Sequence, residues 1–216
     1  MTGFSERLRL ETSDNWQAAI NHRFVDEIFR GAVPQDVMRR YLIQDYQFVD
    51  RFVALLGMAI ATADLFDSRI RFAQFAAMIT SDENTYFQRA FDALDAPMAA
   101  RENPVLTAPT VGFRELMRQA CDSRNYAACL AVLAVAEGIY LEWADRPNAD
   151  LPEDFVHAEW ITLHNNAGFR AFVDWLRSEL DRAALAASAA NQVEAAAFFH
   201  RAVALEREFF DHVYDK

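Results

Sequence analysis

The sequence predicts an all-α protein: one domain over residues 1–216, folded as a bundle of about seven helices. Three observations carry that expectation. Apolar residues recur at spacings of three and four through most of the chain, the period of a helix face rather than a strand. Ala, Leu, Glu, Arg and Phe dominate, while β-branched runs are scarce. Only 6 Gly and 6 Pro interrupt 216 residues, so long uninterrupted elements follow.

The elements can be placed in order. Ser13 is a candidate N-cap for a helix over 13–30, which Gly31 stops. Pro34 suits the first turn of a helix running to about Thr62. Asp67 or Ser68 can cap a segment reaching about Leu94, with a break near Ser81–Asp82. The stretch ENPVLTAPT reads as a loop, and Pro109 opens a helix to about Ala120. Further helices cover 125–145, then Pro152 to about Leu185, then 189–214. The alanine-rich stretch 183–197 holds the turn between the last two.

The formal net charge is −11. Such a surface repels phosphate backbones and anionic lipid heads, so neither nucleic acid nor membrane is an expected partner. It suits a protein that handles neutral or cationic small molecules. The N-terminus is polar and lacks the apolar core of a signal peptide. The longest apolar stretch, Tyr126–Ala136, stops at Glu137 and is too short to span a bilayer. Cys121 and Cys129 form neither a disulfide framework nor a CxxC metal site. A reducing, cytoplasmic location is the expectation.

Three carboxylates stand where apolar residues belong. Met38, Tyr41, Asp45, Phe48, Phe52 and Leu56 make one helical stripe, with Asp45 in its middle. Glu206 sits likewise among Phe199, Val203, Phe210 and Val213. Glu137 is the single charge between Arg124 and Glu142, flanked by AACLAVLAVA and GIYL. Burying an ionised carboxylate without partners costs several kcal/mol. Three such acids on separate helices therefore point to pairing with a basic neighbour, or to a cavity that a ligand enters. The second reading makes them candidates for acid–base chemistry.

The residues also resemble a known family. His22, Phe24 and Gly31, followed by Tyr41-Leu42-Ile43-Gln44-Asp45 and Phe48, look like the N-terminal signature of TenA/thiaminase II proteins. Leu205-Glu206, Phe209-Phe210-Asp211 and Val213-Tyr214 are similar to that family's closing helix. Ala136-Glu137-Gly138-Ile139-Tyr140-Leu141-Glu142 and Trp160-Ile161-Thr162-Leu163-His164 fall between them in the right order. The resemblance covers nearly the whole chain. It implies a haem-oxygenase-like bundle, assembled as a homodimer or homotetramer, that acts on aminopyrimidines related to thiamin without a cofactor. By the same resemblance Asp45 holds the aminopyrimidine edge, Phe48 packs on the ring, Tyr140 borders the substrate, and Glu206 gives a proton to the departing nitrogen. A carboxyl group suits the first role because it can meet a ring nitrogen and an exocyclic amine at once.

Cysteine-type members carry their nucleophile four residues before the tyrosine matched by Tyr140, where this chain has Ala136. Glu137 makes the chain resemble the branch with glutamate in place of that cysteine, whose members are associated with formylated or amino pyrimidine breakdown products. There Glu137 would activate water or help cleave an amide, with Glu206 as acid partner. His164 stands where cysteine-type members tend to have a tyrosine and is expected to donate a hydrogen bond to substrate, or to be a satisfied core histidine. Phe113 lies near a family tyrosine. Glu83 follows a family acidic position, or is a solvated turn residue.

Two other functions fit the bundle. A di-iron oxidase or quinone-cofactor synthase is one, but Glu153 and His157 are four apart, and no other histidine falls at matching steps, so no metal is expected. A non-catalytic pyrimidine-binding regulator is the other.

Overall fold

A computed structural model of the chain describes residues 2–147 and 149–215. Among them every regular element is helical. In order these are α1 Phe4–Glu11, α2 Ser13–Ile20, α3 Arg23–Phe29, α4 Gln35–Thr62, α5 Phe66–Met78, a π-helical segment Ile79–Glu83, α6 Asn84–Ala93, α7 Met98–Glu102, α8 Ala108–Ser123, α9 Tyr126–Ala144, α10 Phe155–Asn165, α11 Ala167–Ala186 and α12 Ala189–His212. The all-α expectation holds. The number of helices exceeds the expected seven because capping side chains split two predicted helices, the π-helical segment divides a third into α5 and α6, and the short α1 and α7 are additional.

The segment 13–30 breaks at Asn21–His22, where His22 Nδ1 accepts the Phe24 N–H at 3.1 Å and starts α3. Ser13 does not cap α2. Thr12 precedes the helix instead, and its hydroxyl turns back to the Leu8 carbonyl at 2.9 Å. The segment 152–185 starts at Phe155, behind Asp154 as cap, and breaks at Asn166, whose side chain accepts the Phe169 N–H at 2.9 Å. The short α1 and α7 carry too little apolar period to be read from sequence.

One helix organises the rest. α9 is buried along almost its entire length and packs against α2, α4, α8, α10, α11 and α12. Its apolar character continues through Glu137 rather than stopping there. By length and composition it could cross a membrane, yet 94% of that stretch lies inside the bundle. Around it Trp16, Trp143, Trp160, Tyr41 and Phe24 are fully enclosed. Each large apolar side chain removed from water contributes about 1.5–3 kcal/mol. A core this continuous can support acids held in unfavourable surroundings.

Gly31 ends α3 with φ 61°, a left-handed conformation that a Cβ disfavours, and its added Cβ would lie 3.1 Å from Pro152 Cβ. Gly31→Ala is expected to lower stability by about 1–2 kcal/mol. A urea unfolding curve with an unshifted midpoint would show that the turn relaxes.

Candidate active site

Helical spacing decides which side chains meet. On α4, Asp45 and Phe48 are three residues apart and share the face turned toward α9. On α9, Glu137 and Tyr140 repeat that spacing. α12 brings Glu206, α10 brings His164 and α8 brings Phe113. All of these side chains, with Glu83, line one cavity of about 70 Å³. Since one water needs roughly 10–15 Å³ by this measure, the space holds about five or six waters, the scale of a single planar ring. Val49, Phe52, Ile79, Met117, Ala136 and Trp160 complete the wall. Val49, Ile79 and Met117 were not singled out from the sequence, because an apolar wall residue has the same signature as any core residue.

Glu83 reaches the cavity through the π-helical segment, where the sequence suggests a break near Ser81–Asp82. Thr80 Oγ1 donates to the Ala76 carbonyl at 2.8 Å, Ser81 Oγ to Ala77 at 2.7 Å and Thr85 Oγ1 to Ser81 at 2.7 Å. These hydroxyls compete for carbonyls that an α-helix would use and loosen the ladder. The wider turn keeps the chain helical while changing its phase, as at many functional sites. Asp82 stays exposed, and Glu83 is half-buried with its carboxyl against the cavity.

The acids are not paired with bases. Asp45, Glu137 and Glu206 are only 8%, 8% and 5% exposed, and no Lys or Arg lines the cavity. Burial pushes the Asp45 carboxyl up to about 7, although a hydrogen bond from Tyr140 pulls it back down. Burial and the neighbouring Asp45 push Glu83 up to about 8. Burial raises Glu137 well above the usual carboxylate range, and the charges of Glu83, Glu206 and Asp45 raise it further. Glu206 is raised likewise by burial and by Asp45. Neither acid has a hydrogen bond holding it down.

Elsewhere the molecule shows what a structural buried acid looks like. Glu179, 4% exposed, accepts from Ser68 at 2.7 Å, from Tyr126 at 2.7 Å and from Arg182 at 2.8 Å. The half-buried Glu142 is likewise held by Arg9, Arg177 and the Trp16 indole N–H. Every oxygen there has donors. The cavity acids lack them.

Two polar side chains of the lining are partly committed to protein partners. Tyr140 borders the cavity, but its hydroxyl donates to Asp45 Oδ1 at 2.8 Å and is not free for a ligand. His164 donates to the backbone and not into the cavity. Its Nδ1 lies 2.8 Å from the Trp160 carbonyl, which can only accept, so Nδ1 carries the proton. Burial pushes the imidazolium down to about 4, so the ring is neutral and Nε2 offers a lone pair. His164, Tyr140 and Trp160 pack as a floor of tilted rings, with centroids 4.5–6.1 Å apart.

Neither cysteine reaches the cavity. Cys129 is buried, donates to the Ala120 carbonyl at 3.5 Å and has its thiol pushed up to about 12 by burial. Cys121 sits on α8 away from the lining. Among the described residues, no three His, Cys, Asp or Glu are grouped to hold a metal ion.

Relatives share the whole architecture. Aminopyrimidine aminohydrolase from Halalkalibacterium halodurans is 22% identical over 218 residues, covering 99% of this chain and 96% of that protein. Aminopyrimidine aminohydrolase from Bacillus subtilis is 23% identical over 192 residues, 89% of this chain and 80% of its own. The crystal structure of a TenA family transcription regulator from Silicibacter sp. superimposes with a TM-score of 0.86 at 20% identity, covering 97% and 96% of the two chains. A TenA homologue from Pyrococcus furiosus gives 0.86 at 19% identity, covering 98% and 100%. The fold is therefore haem-oxygenase-like. The profile of the TENA/THI-4/PQQC family matches residues 11–216, and the chain belongs to that family.

Proposed function

We propose that this protein hydrolyses a C–N bond of an aminopyrimidine, either an aminomethyl- or a formylaminomethyl-pyrimidine, releasing hydroxymethylpyrimidine for thiamin salvage. The observation that carries this reading is the convergence of Asp45, Glu137 and Glu206, from three helices, on a ring-sized aromatic cavity lined by no Lys or Arg. The names of the relatives, aminopyrimidine aminohydrolases over most of their length, support the same chemistry.

In this reading Asp45 accepts from the amine edge of the ring, while Phe48 and Phe113 cover its face. Hydrolysis of the aminomethyl compound converts the C–N bond and one water into a C–OH bond and ammonia. Glu206, protonated because it is buried, gives a proton to the leaving nitrogen. Glu137 takes one from the attacking water. The four acids titrate as a coupled set, and the ammonium formed when a neutral amine takes the Glu206 proton favours loss of the Glu137 proton to solvent, which readies Glu137 as a base. His164 Nε2 accepts a hydrogen bond from the ligand. Glu83 steadies the same cationic group.

Ala136 in the position of the family's cysteine, with Glu137 beside it on the cavity, supports the branch that works without a thiol. One domain over residues 1–216, a homodimer or homotetramer, and a cytoplasmic location complete the proposal.

Glu137→Gln and Glu206→Gln are each expected to lower kcat for hydroxymethylpyrimidine release by about 10²-fold or more. Full activity in both variants would refute the assigned roles. Asp45→Asn is expected to act on substrate affinity, weakening it by about 10-fold or more through loss of a charge-assisted hydrogen bond.

Holding uncharged acids in the core also has a stability signature. Carboxyls in the unfolded chain titrate near 4, whereas Asp45 and Glu83 titrate at about 7 and 8 in the folded protein. The folded state therefore binds more protons between about pH 4 and 8, and stability falls as pH rises through that window. Glu83→Gln is expected to flatten this fall in denaturation curves taken across it. Glu179 gives the opposite case: burial pushes it up, but hydrogen bonds from Arg182, Ser68 and Tyr126 bring it below its ordinary value. Glu179→Gln is expected to destabilise the protein at pH 7.

A further inference from the structure

The acid that holds the ring is itself held from behind. Tyr41 lies one helical turn before Asp45 on α4, is fully enclosed, and does not line the cavity. The Trp160 indole N–H donates to the Tyr41 hydroxyl oxygen at 3.1 Å. Tyr41 and Tyr140 hydroxyls are 2.8 Å apart, and Tyr140 donates to Asp45 Oδ1 at 2.8 Å. The indole can only donate and the Tyr140 proton is committed to Asp45, so the Tyr41 proton must point to Tyr140. The chain of donors runs one way, from α10 through α4 and α9, and ends on the carboxylate.

We infer that Tyr41 is a positioning residue, which acts through Tyr140 to hold Asp45 in one orientation with its second oxygen free toward the cavity. Each donor in such a chain polarises the next, strengthening a bond by roughly 10–30%. Asp45 is the one acid of the four so supported. The other titratable groups around it are Glu83 on the π-helical segment, Glu137 on α9, Glu206 on α12 and His164 on α10, and no cation lines the cavity. Trp160 spends its N–H on Tyr41, so it shows the ligand only its ring. This inference rests on the aminopyrimidine reading.

The test measures binding of hydroxymethylpyrimidine by calorimetry between pH 5 and 9, with steady-state kinetics alongside. Tyr41→Phe is expected to weaken binding about three-fold and to move the acid limb of binding up by about half a pH unit. It leaves kcat within about two-fold, so the change falls on KM. Tyr140→Phe weakens binding about ten-fold or more. The double variant binds no more weakly than Tyr140→Phe alone, because Tyr41 acts only through Tyr140. Trp160→Phe, which keeps the Tyr41 hydroxyl, shows the same pH movement and serves if Tyr41→Phe does not fold. Wild-type affinity and an unmoved acid limb in the folded variants, or additive effects in the double variant, would overturn the inference. Absence of binding by the wild type overturns the aminopyrimidine reading itself, whereas normal wild-type binding with unaffected variants overturns only the role of Tyr41.

Discussion

Desolvation of carboxyl groups is the constraint around which this bundle is arranged. A buried ionised acid is tolerated when it gathers donors, and otherwise it keeps its proton. The molecule contains both solutions. Glu179 gathers an arginine and two hydroxyls, while the half-buried Glu142 gathers two arginines and an indole, and together they tie α11 and α9 to their neighbours. Glu137 and Glu206 gather nothing, and burial with the charges of their neighbours raises both well above the usual carboxylate range. Asp45 lies between the two, with one oxygen satisfied by Tyr140 and the residue open to the cavity.

Rigid carriers make that division useful. Each cavity acid except Glu83 sits within a long α-helix packed against others, so its position is set by backbone geometry and not by a loop. Apolar packing on α9 and α12 supplies the stabilisation that lets these acids stay unpaired. The aromatic floor of Tyr140, Trp160 and His164 fixes rings by mutual contact.

The charge pattern follows the same logic. In a cavity without cations, burial and mutual repulsion favour the protonated form of each acid. A ligand bearing an amine supplies the missing positive charge and lowers the cost of ionising a neighbour. Binding and activation of the acid–base pair are in this way one electrostatic event. A neutral His164 adds an acceptor without adding a competing cation.

Much of this was legible in the residue order, and the reason is periodicity. A polar residue within an apolar stripe of period 3.6 must face inward, which identified Asp45, Glu137 and Glu206 before any coordinates, while Gly31 marked its own turn. Helix breaks at His22 and Asn166 were missed because a capping side chain leaves the surrounding hydrophobic period intact. The π-helical turn at Glu83 was misread as a break, since three hydroxyls signal a disturbed ladder but not its new phase. That Glu179 is paired and Glu137 is not depends on which distant side chains arrive beside each. So does the donor chain from Trp160 to Asp45. Such contacts join residues up to more than a hundred positions apart, and only packing in three dimensions selects them.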